Sequence, residues 1–216
     1  MGEVVGRTDR PGQFITLEGT EGVGKSTCIA IIEDWLVDRG IGFVSTREPG
    51  GTSLGEELRE LLLTHREVDI TPLAELLLVF AARAQHLAEK IKPALTSGVW
   101  VLCDRFTDAT FAYQGAGRGL EAGAIRALAE LVHPDLAPDL TILLDLDPLV
   151  GLTRAGQRGV LDRFERENLE FFARVREGYR RRMKDDQARF CLVDAARAPE
   201  VVAQALRQVL DSRYPR

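Results

Sequence analysis

The sequence predicts an α/β fold in which a five-stranded parallel sheet is flanked by helices, and three observations carry that expectation. Short apolar runs rich in β-branched residues recur along the chain, helical patterns fall between them, and glycine clusters mark the turns. The runs are Phe14 to Glu18, Ile41 to Thr46, Trp100 to Asp104, Thr141 to Asp147 and Phe190 to Asp194. Within them hydrophobicity is continuous rather than alternating, as in Trp100-Val101-Leu102-Cys103, which suits strands covered on both faces.

Between the strands, Lys25 to Arg39 places Ile29, Ile32, Leu36 and Val37 at helical spacing, and Gly40 supplies the stop. Thr71 followed by Pro72 reads as an N-cap with proline in the first turn, opening a long helix toward Leu95 that Pro93 kinks. From Glu167 onward, Leu169, Phe172, Val175, Tyr179 and Met183 step by three or four, and arginines fill the remaining faces. Glycines gather at 19–24, 50–51, 115–119 and 156–159, four loops that suggest a closing site. No repeat, linker or composition shift divides the chain. The expected organisation is a loose tail over 1–13 and one domain over 14–216, with a mobile lid near 153–165.

Composition excludes several classes. Across 216 residues, 28 Lys+Arg against 33 Asp+Glu leave a net charge of -5, which argues against a nucleic-acid-binding protein relying on a basic face. The longest uncharged apolar run, Leu76 to Ala82, is far shorter than the roughly 20 residues of a membrane span. Met1 to Gln13 is polar, without the apolar stretch of an export signal, and residue 6 is Gly where myristoylation needs Ser or Thr. Cys28, Cys103 and Cys191 are odd in number, never spaced as CxxC and set in apolar stretches, so a cytoplasmic protein with reduced thiols is expected.

The motif Gly19-Thr20-Glu21-Gly22-Val23-Gly24-Lys25-Ser26 fits GxxxxGK[ST] in full, after an expected strand and at the opening of an expected helix. In that setting backbone N–H groups turn inward as an anion nest, the helix N-terminus adds partial positive charge, and Lys25 reaches the outer phosphates of a nucleotide. Ser26 is the expected Mg²⁺ ligand, with the loop through Thr27 as the phosphate cradle. Asp104-Arg105 closes the third run, at the carboxyl edge where open α/β sheets bind ligands. There Asp104 suits hydrated Mg²⁺ and Arg105 a forked grip on phosphate, unless the two form an ordinary strand-end ion pair.

Arg83 follows Phe80 by three residues, on one helical face, which suits a nucleotide-base pocket or a core ring whose arginine snorkels to water. Arg154, Arg158 and Arg163 lie in a glycine-containing segment with the composition of a lid carrying charge to a transferring phosphoryl group, or of a solvated surface. His65, His86 and His133 show neither zinc spacing nor a neighbouring nucleophile. A phosphate acceptor needs no base, since a monoester with a second pKa near ~6 is already largely a dianion at neutral pH.

Through the Gly19–Ser26 loop, Thr46-Arg47-Glu48-Pro49-Gly50-Gly51-Thr52, Phe80-Ala81-Ala82-Arg83, Asp104-Arg105-Phe106 and Ala112-Tyr113-Gln114-Gly115, the chain resembles the bacterial thymidylate kinases from about Phe14 to its C-terminal helix. The resemblance implies a P-loop nucleoside-monophosphate-kinase fold, ATP as donor, dTMP as acceptor, Mg²⁺ and a homodimer. It also implies that Phe80 stacks on thymine, that Arg83 and Thr110 contact the base, and that Arg47 and Arg105 bind near the acceptor phosphate. Glu21 matches the acid that holds the 3′-OH, Tyr113 crowds the 2′ position, and Pro49 and Gln114 belong to the pocket wall. Members of the family carry a basic residue in the phosphate loop after that acid, or place the catalytic arginine in the lid. With Gly22 in that position the chain resembles the lid type, whose catalytic set is Lys25, Arg105 and the lid arginines Arg154, Arg158 and Arg163.

Two other classes are weighed on the same residues. A nucleotide switch is disfavoured because Asn168 is the only Asn, which leaves no NKxD element, and because Thr20 replaces the extra Lys of partitioning ATPases. A kinase acting on a nucleoside would use the same fold but needs a base at the acceptor.

Overall fold

A computed structural model describes residues 12–157 and 162–215. Strand β1 (Phe14–Glu18) leads through the glycine loop into α1 (Lys25–Asp38), and β2 (Phe43–Arg47) is followed by α2 (Ser53–Leu63) and α3 (Pro72–His86). A π-helical turn (Leu87–Ile91) joins α3 to α4 (Lys92–Thr96). Strand β3 (Trp100–Asp104) runs into α5 (Thr107–Thr110), a second π-helical stretch (Phe111–Gly117) and α6 (Ala122–Val132). The chain ends with β4 (Leu140–Asp145), α7 (Pro148–Gly156), α8 (Leu169–Asp185), β5 (Phe190–Asp194) and α9 (Pro199–Arg213). All strands are parallel, in the order β2-β3-β1-β4-β5.

Strand parity sorts the core into two layers. Ile15, Leu17, Leu102, Leu140, Ile142 and Leu144 face a cluster built with Ile32 and Leu36 of α1 and Leu206 and Leu210 of α9. On the opposite face, Phe14, Val101 and Cys103 meet Leu87, Ile91 and Phe106, while Leu143 joins Phe171, Phe172 and Val175 of α8. Burial on both faces is what the continuous apolar runs require. Thr16 and Thr141 put hydroxyls into this interior but bond each other at 2.8 Å, so neither is left unsatisfied.

Two strands, β2 (Phe43–Arg47) and β4 (Leu140–Asp145), differ from expectation at both ends. β2 begins at Phe43 rather than Ile41, because the Ile41 N–H closes the end of α1 on the Leu36 carbonyl. β4 stops at Asp145, because Asp147 leaves the sheet to cap α7, its carboxylate accepting from the Leu149 N–H at 2.9 Å. The kink expected at Pro93 takes the form of the π turn just before it. Proline has no N–H to give the Glu89 carbonyl, and the Lys92 N–H reaches instead to Leu87, five residues back.

Candidate active site

The phosphate loop lies between the end of β1 and the start of α1. Gly24 caps α1 in the left-handed conformation with no side chain capping the helix, and the first turn holds no acidic residue, so its amides face the cleft. Gly22 is also left-handed (φ 71°), and a Cβ there would sit 1.9 Å from the Gly151 carbonyl oxygen of α7. Only glycine fits. Lys25 curls over the loop, donating to the Thr20 and Gly19 carbonyls at 3.1 and 3.4 Å. Burial lowers its pKa, and the Arg105 guanidinium adds to that.

The adjoining cleft has a volume of about 230 Å³ and opens to solvent at its mouth. Glu21 through Ser26, Arg47, Pro49, Arg83, Asp104, Arg105, Thr110, Tyr113 and Gln114 all line it, so the structure brings together most residues expected at the site. Thr20 is buried under the loop, whereas Thr27 is exposed in the first turn of α1.

At the sheet edge, Arg105 has a left-handed backbone (φ 71°), a conformation that costs a non-glycine residue on the order of 1–3 kcal/mol. That twist turns its guanidinium into the cleft, 4.6 Å from the centre of the Tyr113 ring. Glu21 Oε1 accepts from Arg105 Nη2 at 2.6 Å and from the Tyr113 hydroxyl at 3.0 Å. Glu21, Tyr113 and Tyr179 together hold Arg105 firmly protonated against the opposing effect of its burial.

Arg47, exposed at the end of β2, pairs with Glu56 at 2.8 Å. Beside it stands Arg59 of α2, which donates to the Pro49 carbonyl at 2.9 Å and lines the same cleft. Burial lowers the Arg59 pKa, and so do the charges of Arg47 and Arg105. Guanidinium groups that repel one another in a shared cleft make a site for a multiply charged anion. The sequence reading missed Arg59, which has no motif of its own and reaches the cleft only through the packing of α2.

The far wall reads a different kind of ligand. Arg83 is 1% exposed, so it does not snorkel to water. Its Nε donates to Glu48 Oε2 at 2.7 Å and its Nη2 to Thr110 Oγ1 at 2.9 Å, leaving Nη1 buried with no partner. Glu48 is held in turn by His86 Nδ1 at 3.0 Å, and His86 Nε2 meets Thr46 Oγ1 at 2.7 Å. Burial would raise the Glu48 pKa, but Arg83 and His86 outweigh it and keep the carboxylate ionised.

Phe80 departs from expectation. It packs with Leu76 and Ile125 in the core, and the cleft is lined by Val79 instead. On a helix of 3.6 residues per turn, Phe80 and Val79 flank the Arg83 direction by about 60° and about 40° on opposite sides, and the cleft lies on the Val79 side. Phe80 supports the arginine from behind, 4.8 Å from its guanidinium carbon.

The arginines expected in the lid are dispersed. Arg154 is exposed on α7 and donates to the Ala195 carbonyl at 3.3 Å. Arg158 lies outside the described residues, as do residues 1–11 of the expected tail. Arg163 is not poised over the phosphate loop. It is 8% exposed, donating to the Leu62 carbonyl at 2.7 Å and to Glu75 Oε2 at 2.6 Å.

Asp104 and Ser26 line the same cleft. Asp104 Oδ1 is buried without a partner among the described residues, and Ser26 is an exposed residue. Among the described residues no cluster of three or more His, Cys, Asp or Glu could hold a metal. One carboxylate and one hydroxyl still fit Mg²⁺, which completes its shell with water and substrate phosphate.

A parallel sheet with a full phosphate loop, a cationic anion site beside it and a polar far wall define a P-loop phosphotransferase of the nucleoside-monophosphate-kinase fold. Residues 17–206 match the family model described as thymidylate kinase. The chain is 56% identical over 201 residues to the thymidylate kinase of Teredinibacter turnerae, covering 93% of this chain and 98% of that one. It is 54% identical over 204 residues to that of Hahella chejuensis, covering 94% and 98%. The crystal structure of thymidylate kinase from Ehrlichia chaffeensis superposes with a TM-score of 0.74 at 32% identity, covering 94% of this chain and 99% of that one. The chain belongs to the thymidylate kinase family.

Proposed function

We infer that the protein transfers the γ-phosphoryl group of ATP to dTMP, giving dTDP for DNA-precursor synthesis. One observation carries the reading: a single cleft joins the phosphate loop to the Arg47, Arg59 and Arg105 cations and to Arg83, whose Nη1 has no partner among the described residues. That is the length order of a nucleoside monophosphate, with its phosphate toward the donor and its base at the far wall. The Arg83 donor suits a thymine carbonyl, with Thr110, Gln114 and Pro49 shaping the wall and Val79 beside them.

ATP binds with its phosphates on Gly19 to Thr27, where the α1 amides and Lys25 neutralise charge. Ser26 and Asp104 would hold Mg²⁺, which would offset the charge of the outer phosphates. Arg105 and Arg47 grip the acceptor phosphate in line, Glu21 takes the 3′-OH, and Tyr113 fills the space a 2′-OH would need. No general base is required, because the acceptor oxygen is already anionic.

Gly22 supports a catalytic arginine from outside the loop, since a side chain in its place would meet the Gly151 backbone. Arg163 is committed to Glu75, so Arg154 and Arg158 are the arginines we assign to a lid over about 153–165. Closure by that lid excludes water and suppresses ATP hydrolysis.

The assembly we propose is a homodimer through α3. Leu73 and Leu77 are 56% and 50% exposed, and Ala81 and Ala84 continue the same face with small residues that allow close helix approach. The described residues include no helix long and apolar enough to cross a membrane, and the three cysteines are free, in keeping with a cytoplasmic enzyme.

The test is ADP release with MgATP and dTMP, dUMP, dCMP, dGMP, UMP or thymidine as acceptor. A clear preference for dTMP is expected. ADP release independent of acceptor points to a switch ATPase, and a preference for thymidine removes the phosphate roles given to Arg47 and Arg105.

A further inference from the structure

We propose that Glu18, a fully buried residue at the end of β1, is a positioning residue that sets Arg105 for the acceptor phosphate by bonding both its backbone and its side chain. The inference rests on the acceptor role given to Arg105 above.

Arg105 holds a backbone conformation that arginine does not prefer, so something must over-determine it. Its own N–H bonds the Leu17 carbonyl of β1 at 3.0 Å. The next N–H, that of Phe106, donates to Glu18 Oε1 at 2.8 Å. Glu18 and its neighbour thus pin the chain on both sides of the twisted residue. The other carboxyl oxygen, Oε2, accepts from the Tyr179 hydroxyl at 2.9 Å, and that hydroxyl accepts from Arg105 Nη1 at 3.3 Å. One side chain therefore fixes the turn and, through Tyr179 of α8, the tilt of the guanidinium.

A carboxyl buried here without an acidic or metal-binding task needs a reason, and the reason fits its surroundings. Asp108 of α5 faces it as a like charge, while Arg105 and, more distantly, Lys25 face it as opposite charges. Burial and Asp108 outweigh Arg105 and push Glu18 up to about 8, so the group is largely neutral at neutral pH and leaves the charge of Arg105 for substrate. Glutamine is then a close mimic: its carbonyl accepts from Phe106, and its amide donates to the Tyr179 oxygen once that hydroxyl rotates its own proton away.

The test compares Glu18→Ala, Glu18→Gln and Tyr179→Phe by steady-state kinetics, with dTMP binding read separately by calorimetry in the absence of ATP. Glu18→Ala is expected to raise KM and Kd for dTMP about tenfold or more while KM for ATP stays within about twofold, and Glu18→Gln to restore dTMP affinity to within about threefold. Should Glu18→Ala fail to fold, Tyr179→Phe carries the test, with a rise of about threefold confined to dTMP. Unchanged dTMP affinity, equal shifts for both nucleotides, or a glutamine variant as impaired as alanine overturns the proposal. Wild-type protein that binds dTMP in this Glu18-dependent way but does not phosphorylate it sustains the positioning role and removes the proposed function. Wild-type turnover untouched by these variants does the reverse.

Discussion

Arg163 donates to Glu75 Oε2 at 2.6 Å, and the other oxygen of the same carboxylate accepts from Gln114 at 2.8 Å. The segment around Arg163 and Gln114 of the cleft lining thus share one buried acceptor on α3, which Arg118 also approaches at 3.3 Å. Glu75 therefore ties the position of Arg163 to that of Gln114 in the cleft lining.

Arg163→Ala is therefore expected to behave as a structural lesion. Removing one partner of a buried ion pair costs about 3–5 kcal/mol where the remaining charge is left uncompensated, and the loss here falls below that because Glu75 keeps Gln114 and Arg118. Urea unfolding should show a lower midpoint for Arg163→Ala and none of that loss for Arg154→Ala, which sits exposed on α7. A stable Arg163→Ala protein with kcat reduced by ~10²-fold would instead return this residue to the role of catalytic finger.

Gly22→Ala tests the packing of the phosphate loop on α7. The methyl group meets the Gly151 backbone, and the residue must keep φ 71°, so loop or helix has to move. We expect a loss of at least about 1–3 kcal/mol in unfolding free energy and a raised KM for ATP with KM for dTMP little changed. Thermal unfolding and two-substrate kinetics read both effects.

How much of this was legible beforehand depends on the range of the interaction that decides each feature. β1, β3 and β5 have the expected bounds, since continuous apolar runs are a local signal. The phosphate loop was legible because its chemistry lies in one contiguous segment. Val79 and Phe80 were not distinguishable, because both flank Arg83 and only the docking of α6 against Phe80 decides which one faces the cleft. Arg59 and Glu48 reach the site through contacts with the Pro49 carbonyl and with Arg83 that no spacing encodes. Arg163 was legible as a charge near the lid, but its partner Glu75 lies 88 positions away in sequence.

Arg59 gives a direct test of the anion site. Arg59→Ala removes one cation beside Arg47 and Arg105, and a charge-assisted contact of about 1.5–3 kcal/mol corresponds to a fall of roughly 10–100-fold in kcat/KM for dTMP. Thymidine lacks the phosphate, so its weak binding to Arg59→Ala and wild type should be equal by calorimetry. Equal losses for both ligands would place Arg59 in the fold rather than at the phosphate.

Two buried carboxyls give stability opposite pH dependences. Glu48 has its folded pKa depressed by Arg83 and His86 in spite of burial, so its contribution is present above the ordinary carboxylate range and lost as pH falls through the folded value. Glu18 has its folded pKa raised by burial and by Asp108, from 4.5 to about 8. Its folded state holds a proton the unfolded state releases, so stability contributed by Glu18 is complete below about 4.5 and declines as pH rises toward about 8. Tm measured from pH 4 to 9 should therefore fall on the alkaline side in wild type, and Glu18→Gln should flatten that limb without touching the acid one. Glu48→Gln should flatten the acid limb, at lower overall stability because Arg83 is left with a weaker partner. An alkaline limb unchanged in Glu18→Gln would mean that Glu18 is ionised in the folded protein, with Tyr179 and the Phe106 N–H solvating its charge.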